Sequence, residues 1–217
     1  MNKFFKEFIL WILILLPIIY LITIWKKLPE VVPTHFDMDG VANGWSHKYI
    51  LIILAVGLGV GFYLLMLALP ALDPSKNIKK MGSKYYNLRF LLTIFTTILT
   101  TFILYTSNGG TFKNPNLILM FIGVFLAILG DFMKTVKPNH FIGIRTPWTM
   151  ASDHTWKKTH QLGGPIWVVG GIIIAVLPFI PPLKSSITMV MLILIAIMAL
   201  VPTVYSYFVY KNEDDDE

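Results

Sequence analysis

Six stretches of this chain are apolar over lengths that a soluble core of its size could not absorb: Phe8–Trp25, Tyr49–Leu69, Leu88–Tyr105, Leu117–Met133, Pro165–Ile180 and Ile187–Tyr210. At about 1.5 Å rise per residue, about 20 helical residues cross the roughly 30 Å hydrocarbon layer of a bilayer. Only 14% of the 217 residues are charged and 55% are hydrophobic, whereas about a quarter of a soluble domain is charged. Lipid must therefore cover what a core cannot. The first run is followed by Lys26-Lys27 and Leu28-Pro29, not by a small-residue cleavage site, so it reads as an uncleaved span bent at Pro17. The fifth is the shortest and is rich in glycine. The expected fold is an all-α integral membrane protein, a bundle of about six transmembrane helices.

Orientation follows from lysine and arginine. If the N-terminus lies on one side, that side carries Lys3, Lys6, Lys76, Lys79, Lys80, Lys84, Arg89, Lys134, Lys137, Arg145, Lys157, Lys158 and Lys211, thirteen of the eighteen basic residues. Lys26, Lys27, Lys48, Lys113 and Lys184 fall opposite. The positive-inside rule then puts both termini, the second loop and the fourth loop in the cytoplasm and the first loop outside. The acidic tail Glu213–Glu217 reads as a solvated end. The net charge of +6 is thus a topology signal and gives no reason to expect direct nucleic-acid binding. Without cysteine there is no disulfide, no thiolate metal site and no cysteine nucleophile.

Small and hydroxylated residues recur at helical spacing within the spans. Thr93, Thr96, Thr97, Thr100 and Thr101 share one face of the third run. Gly57/Gly61, Gly123/Ala127 and Gly171/Ala175 are small-xxx-small pairs, the spacing at which helix backbones approach closely in lipid. A transport pathway would be expected to add an ionisable residue near a midplane. Asp131 lies instead within a turn of the cytoplasmic end of its span, which favours packing over transport.

Two loops stand out. The first contains Pro33, His35, Phe36, Asp37, Asp39, Gly40, Asn43-Gly44, Trp45 and His47; its turn formers predict a compact, ordered loop, with Trp45 at the membrane interface. His35, Asp37, Asp39 and His47 could ligate a divalent metal. Turn-capping aspartates explain the same residues, and no metal is assigned. In the fourth loop, Pro138 and Asn139 end a span and Gly143 allows close backbone approach. Arg145 belongs at the interface or in a polar pocket. Thr146-Pro147-Trp148 turns the chain and offers an indole to the headgroups. Ser152 is an N-cap, Asp153, Lys157 and Lys158 complement the dipole of a short amphipathic helix, and Gly163-Gly164 is its stop. Trp156, Thr159 and His160 share a face of that helix, which is expected to lie along the membrane surface.

The run Gly143-Ile-Arg-Thr-Pro-Trp-Thr149, followed by Trp156, Thr159-His160 and Gly163-Gly164, resembles the signature of SdpI-type immunity proteins, which are bacterial multi-pass membrane proteins. Pro33-x-His35-Phe36 with Gly40 and Trp45 resembles the small N-terminal module that often accompanies it. The resemblance divides the chain into an N-terminal module, residues 1–70, and an SdpI-like module, residues 71–217. It implies location in the bacterial cell membrane, protection against a membrane-active toxin and, in the best-known member, capture of a cytoplasmic repressor. It implies no cofactor and no catalytic residue. An enzyme acting on lipid headgroups through His140, Arg145, Asp153, His154 or His160 is the competing reading, but no serine elbow or HExxH pair supports it. A small transporter is the other.

Overall fold

The structure, a computed structural model, describes residues 3–37, 41–110, 116–180 and 186–214. Asp39, Gly40, Lys113, Lys184 and 215–217 therefore lie outside the described residues. In chain order the elements are α1 (Lys3–Ile24), strands β1 (Val31–Phe36) and β2 (Ala42–His47), α2 (Ile50–Leu72), a single turn α3 (Asn77–Lys80) and α4 (Ser83–Ser107). Then follow α5 (Asn116–Met133), α6 (Pro147–Ala151), α7 (Asp153–Val176) and α8 (Ile187–Asp214). Among the described residues six helices are long and apolar enough to cross a membrane, in line with the six apolar runs. The chain divides into two compact units, one of residues 1–68 and 85–115 and the other of residues 69–84 and 116–217.

In the first unit, α1, α2 and α4 pack around Leu10, Ile14 and Tyr63, and around Leu21, Ile24, Leu51, Ala55 and Leu104. Pro17 has no N–H, so the carbonyl of Leu13, four residues earlier, loses its helical donor. The Thr97 hydroxyl of α4 supplies it at 3.1 Å. Pro70 likewise frees the carbonyl of Met66, which accepts from the Tyr85 hydroxyl of α4. The threonine face is therefore turned inward, with Thr93, Thr97 and Thr100 buried. Near one end of these helices Arg89 donates through Nη2 to both carboxylate oxygens of Glu7, at 2.6 and 2.7 Å, with its guanidinium over the rings of Tyr63 and Tyr86.

The first loop is a two-stranded antiparallel hairpin, with Val31 opposite His47, Val32 opposite Ser46 and Pro33 opposite Trp45. Val32, fully buried, anchors it on Leu28 and Leu51, and the Ser107 hydroxyl donates to Pro33 O. Gly44 is required by close approach, because a Cβ there would sit 2.7 Å from that of His35. One expectation fails here. In α2 the turns from Ala55 to Gly61 are π-helical, and the wider turn leaves Gly57 and Gly61 exposed while Gly59 faces Ile14. Gly57 and Gly61 therefore make no close helix contact within this unit.

In the second unit α5 lies against α7, and α7 against α8. Gly123 and Gly171 meet at the first crossing: a Cβ on Gly123 would stand 2.6 Å from Gly171 O, and one on Gly171 2.6 Å from Gly123 O. The small-residue pairs Gly123/Ala127 and Gly171/Ala175 thus do what their spacing suggested. Pro202 in α8 frees Met198 O, and the Trp167 indole of α7 donates to it at 2.9 Å.

The fifth span begins much earlier than its apolar run. α7 is one helix from Asp153 to Val176, continuous through Gly163-Gly164 and Pro165, so no separate interfacial helix ends at the glycines. Both glycines are buried where Ile144 and Gly130 press on them. Packing against neighbours outweighs their intrinsic tendency to stop a helix. Ser152 is the N-cap, as expected, accepting from Thr155 N–H at 3.1 Å.

Two predictions follow from this packing. Thr97→Val should lower the stability of the detergent-purified protein by about 1–2 kcal/mol by orphaning Leu13 O. Adding Pro17→Ala should recover most of that loss; a double variant no more stable than Thr97→Val would contradict the pairing. Gly123→Ala should cost about 1–3 kcal/mol through overpacking, whereas Gly57→Ala, whose Cβ meets nothing within 4 Å, should stay within about 0.5 kcal/mol. Thermal melts read both.

Candidate functional site

The fourth loop is folded by its own polar side chains. Asn139 is buried, and its Oδ1 accepts from the N–H groups of Phe141 and Ile142, both at 2.8 Å. Its Nδ2 donates to the carbonyls of Lys137 and Ile142 at 2.8 and 2.9 Å, so one side chain closes the turn. Further on, Thr146 caps α6 in a reciprocal box with Thr149, with Pro147 in the first helical turn. The Thr146 hydroxyl also meets that of Ser206 on α8 at 3.0 Å, and Thr149 Oγ1 donates to Ile144 O at 2.9 Å.

α7 supplies the post around which this turn is wound. Trp156 is 1% exposed and its indole donates to Val136 O at 2.9 Å. The His160 ring stacks on it, with centroids 4.3 Å apart. Nε2 of His160 accepts from the Ile144 N–H at 2.9 Å; this assigns the proton to Nδ1, which lies 2.8 Å from Trp156 O. Two backbone groups thus fix the tautomer and the plane of the ring. Gly143 lies over this pair with φ of +117°, a backbone conformation that side-chain-bearing residues rarely adopt, and a Cβ there would stand 2.5 Å from His160 Nε2.

Trp156, Thr159 and His160 do share a face, but it is turned into the protein: all three are at most 2% exposed. The expectation that this face lies along the membrane surface is therefore corrected. The helix belongs to a span, and its aromatic face has a polar loop to satisfy rather than headgroups. Gly163 faces Ile144 of the same loop.

What the loop presents outward is a shorter set. Arg145 and Pro147 are exposed, as are His140, Phe141 and Met150. Arg145 donates through Nη1 to the carbonyl of His140. Trp148 is half-buried, its ring edge-on to Tyr207 at 5.2 Å, so the indole belongs partly to the bundle. Glu213, expected in a solvated tail, accepts from Ser152 Oγ at 2.7 Å and Thr155 Oγ1 at 3.0 Å. It thereby pins the end of α8 to the start of α7; a half-buried carboxylate sits favourably at a helix N-terminus.

In the hairpin of the first unit His35 and Trp45 are exposed, and Pro33 and Phe36 half-buried. Each candidate metal ligand that is described has another partner. His35 Nδ1 contacts Asn43 Oδ1, His47 faces Glu30 at 3.2 Å, and Asp37 Oδ1 accepts from Val41 N–H at 2.9 Å. Glu30 is held below the usual carboxylate range, chiefly by its 2.8 Å hydrogen bond from Lys48. Asp39 and Gly40 lie outside the described residues.

Sequence reasoning missed two ionic contacts. Glu7 and Arg89 lie 82 residues apart, and Asp73 and His140 meet from separate loops. No local spacing encodes either contact, because each is made by the fold.

Known proteins share both halves of this arrangement. The SdpI/YfhL protein family matches residues 135–206, and a domain of unknown function (DUF1648) matches residues 12–60. The first range runs from beside Val136 to Ser206, the two ends of the network around Trp156. The second covers most of α1, the hairpin and the start of α2. Over 208 residues the chain is 30% identical to the "Immunity protein SdpI" of Bacillus subtilis (strain 168), spanning 95% of this chain and 97% of that protein. No solved structure matches.

Gly143→Ala should loosen the loop more than any exposed substitution in it, because the added methyl strains φ and strikes His160. The expected cost is about 1–3 kcal/mol. Limited proteolysis of the reconstituted protein should then cut between 138 and 151 faster than in wild type; an unchanged rate would show that the turn tolerates a side chain.

Proposed function

The chain belongs to the SdpI/YfhL family of bacterial multi-pass membrane proteins, and from that premise we propose that it protects its cell against a membrane-active peptide or protein toxin. The observation that carries this reading is identity with an immunity protein across 95% of the chain, matched end to end rather than in one module. The bias of lysine and arginine supports an orientation with both termini and the fourth loop in the cytoplasm, which leaves the hairpin outside.

In this reading a toxin reaching the membrane meets the hairpin or the lipid-facing helices first. It acts on the protein only by binding one arrangement of the spans better than another. The fourth loop is built to report such a shift. Its turn is wound on Trp156 and His160 of α7 and tied to Ser206 of α8, so displacement of either helix moves Arg145, Pro147 and Trp148. A cytoplasmic repressor would be captured there, through an exposed guanidinium and a partly exposed indole, two side chains suited to hot spots.

The test is expression in a toxin-sensitive cell followed by challenge with candidate membrane-active peptides. Wild type should raise survival. Arg145→Ala and Trp148→Ala, at equal membrane abundance, should lose protection or repressor recruitment by tenfold or more, about 1.4 kcal/mol of coupling. Full protection and recruitment in both variants would remove the loop from the mechanism.

A further inference from the structure

The turn after α2 holds a carboxylate away from solvent. Asp73 is 2% exposed, and its side chain is fully buried. Oδ2 accepts from the Ser75 hydroxyl at 2.7 Å and from Ile78 N–H at 3.1 Å. Oδ1 has no hydrogen-bond partner and faces Nδ1 of His140 at 3.5 Å. The two segments are tied to one another, because Asn77 Nδ2 donates to Pro138 O at 2.7 Å and Ser75 Oγ to the same oxygen at 3.4 Å. Burial pushes the Asp73 carboxyl up, but the Ile78 N–H, the Ser75 hydroxyl and His140 outweigh it and hold it below the usual range. Asp73 is therefore a buried anion at neutral pH.

An anion out of water is tolerated when a cation with good geometry compensates it. Here the group that faces Oδ1 is the His140 ring, through Nδ1. With Nδ1 turned to Asp73, Nε2 is left without a partner among the described residues, on a side chain that is 51% exposed. Arg145 bonds through one guanidinium nitrogen to the carbonyl of His140 itself, which leaves its other donors outward on the same turn. Among the described residues no carboxylate pairs with Arg145. A guanidinium without a carboxylate partner and an imidazole backed by a buried carboxylate thus stand on one turn.

We propose that His140 and Arg145 form a phosphate-binding site, with Asp73 as the positioning residue behind the imidazole. Guanidinium and imidazolium N–H groups give charge-assisted hydrogen bonds to tetrahedral oxyanions. The loop leaves α5, a helix long and apolar enough to span a membrane, at Met133, only a few residues before His140, so a lipid headgroup is one source of the phosphate. A phospholipid phosphate and free phosphate present the same chemistry to it. The site stands whether or not the chain confers immunity.

The experiment is native mass spectrometry of the delipidated full-length protein, titrated separately with phosphatidylglycerol and with inorganic phosphate. One saturable equivalent should bind. His140→Gln and Arg145→Gln should each weaken it about tenfold. Asp73→Asn keeps an acceptor for Ile78 N–H and removes the charge, so it should weaken binding comparably in a protein that still melts cooperatively. Lys158→Gln, an exposed cation on α7, should bind like wild type. Binding of phosphatidylglycerol alone assigns the site to a lipid headgroup, and binding of both ligands to phosphate as such. Equal affinity in all variants overturns the proposal, as does a loss in Lys158→Gln equal to that in Arg145→Gln, which would mean diffuse attraction.

Discussion

A backbone carbonyl in hydrocarbon has no water to turn to, and much of this structure follows from that fact. Of the four prolines inside the long helices, three free a carbonyl that a neighbouring helix takes up: Pro17, Pro70 and Pro202. The orphaned carbonyls of Leu13, Met66 and Met198 are met by Thr97, Tyr85 and Trp167 from neighbouring helices. Each of these three prolines thus converts an internal bond of one helix into a bond between two. Such bonds have fixed partners, so they select which helices pair and in what register, a choice that the uniform attraction of apolar surfaces in lipid does not make.

Small residues do the same work by shape. Gly123 and Gly171 let α5 and α7 approach until backbone meets backbone, and the close crossing gives the second unit its rigid centre. The fourth loop rests on that centre. Trp156 and His160 emerge from α7 into the turn of 136–149 and satisfy its backbone through Val136 O and Ile144 N–H.

This construction sorts the candidate residues of the loop by task. Asn139, Gly143, Thr146, Trp156, His160 and Gly163 shape the loop and Thr159 is buried on the same face of α7, while Arg145 and Pro147, with part of Trp148, are among what the loop shows. A loop held this firmly to α7 and α8 suits a protein whose proposed task is to register an event in the membrane on the opposite face. The same firmness fixes His140 between Asp73 and solvent.

Length and periodicity of the apolar runs determined the class of the protein and its six spans, because the thickness of a bilayer leaves no other use for them. Ser152 also pointed to the true start of α7. Sequence did not show that α7 runs through Gly163-Gly164, since local propensity favours a stop and only Ile144 and Gly130 pressing on those glycines reverses it. Nor did it show that Trp156 and His160 point inward, because a helical face looks the same in sequence whether lipid or a folded loop covers it. The pairs Pro17–Thr97, Glu7–Arg89 and Asp73–His140 join residues far apart in the chain, and such contacts exist only once the helices have chosen their neighbours.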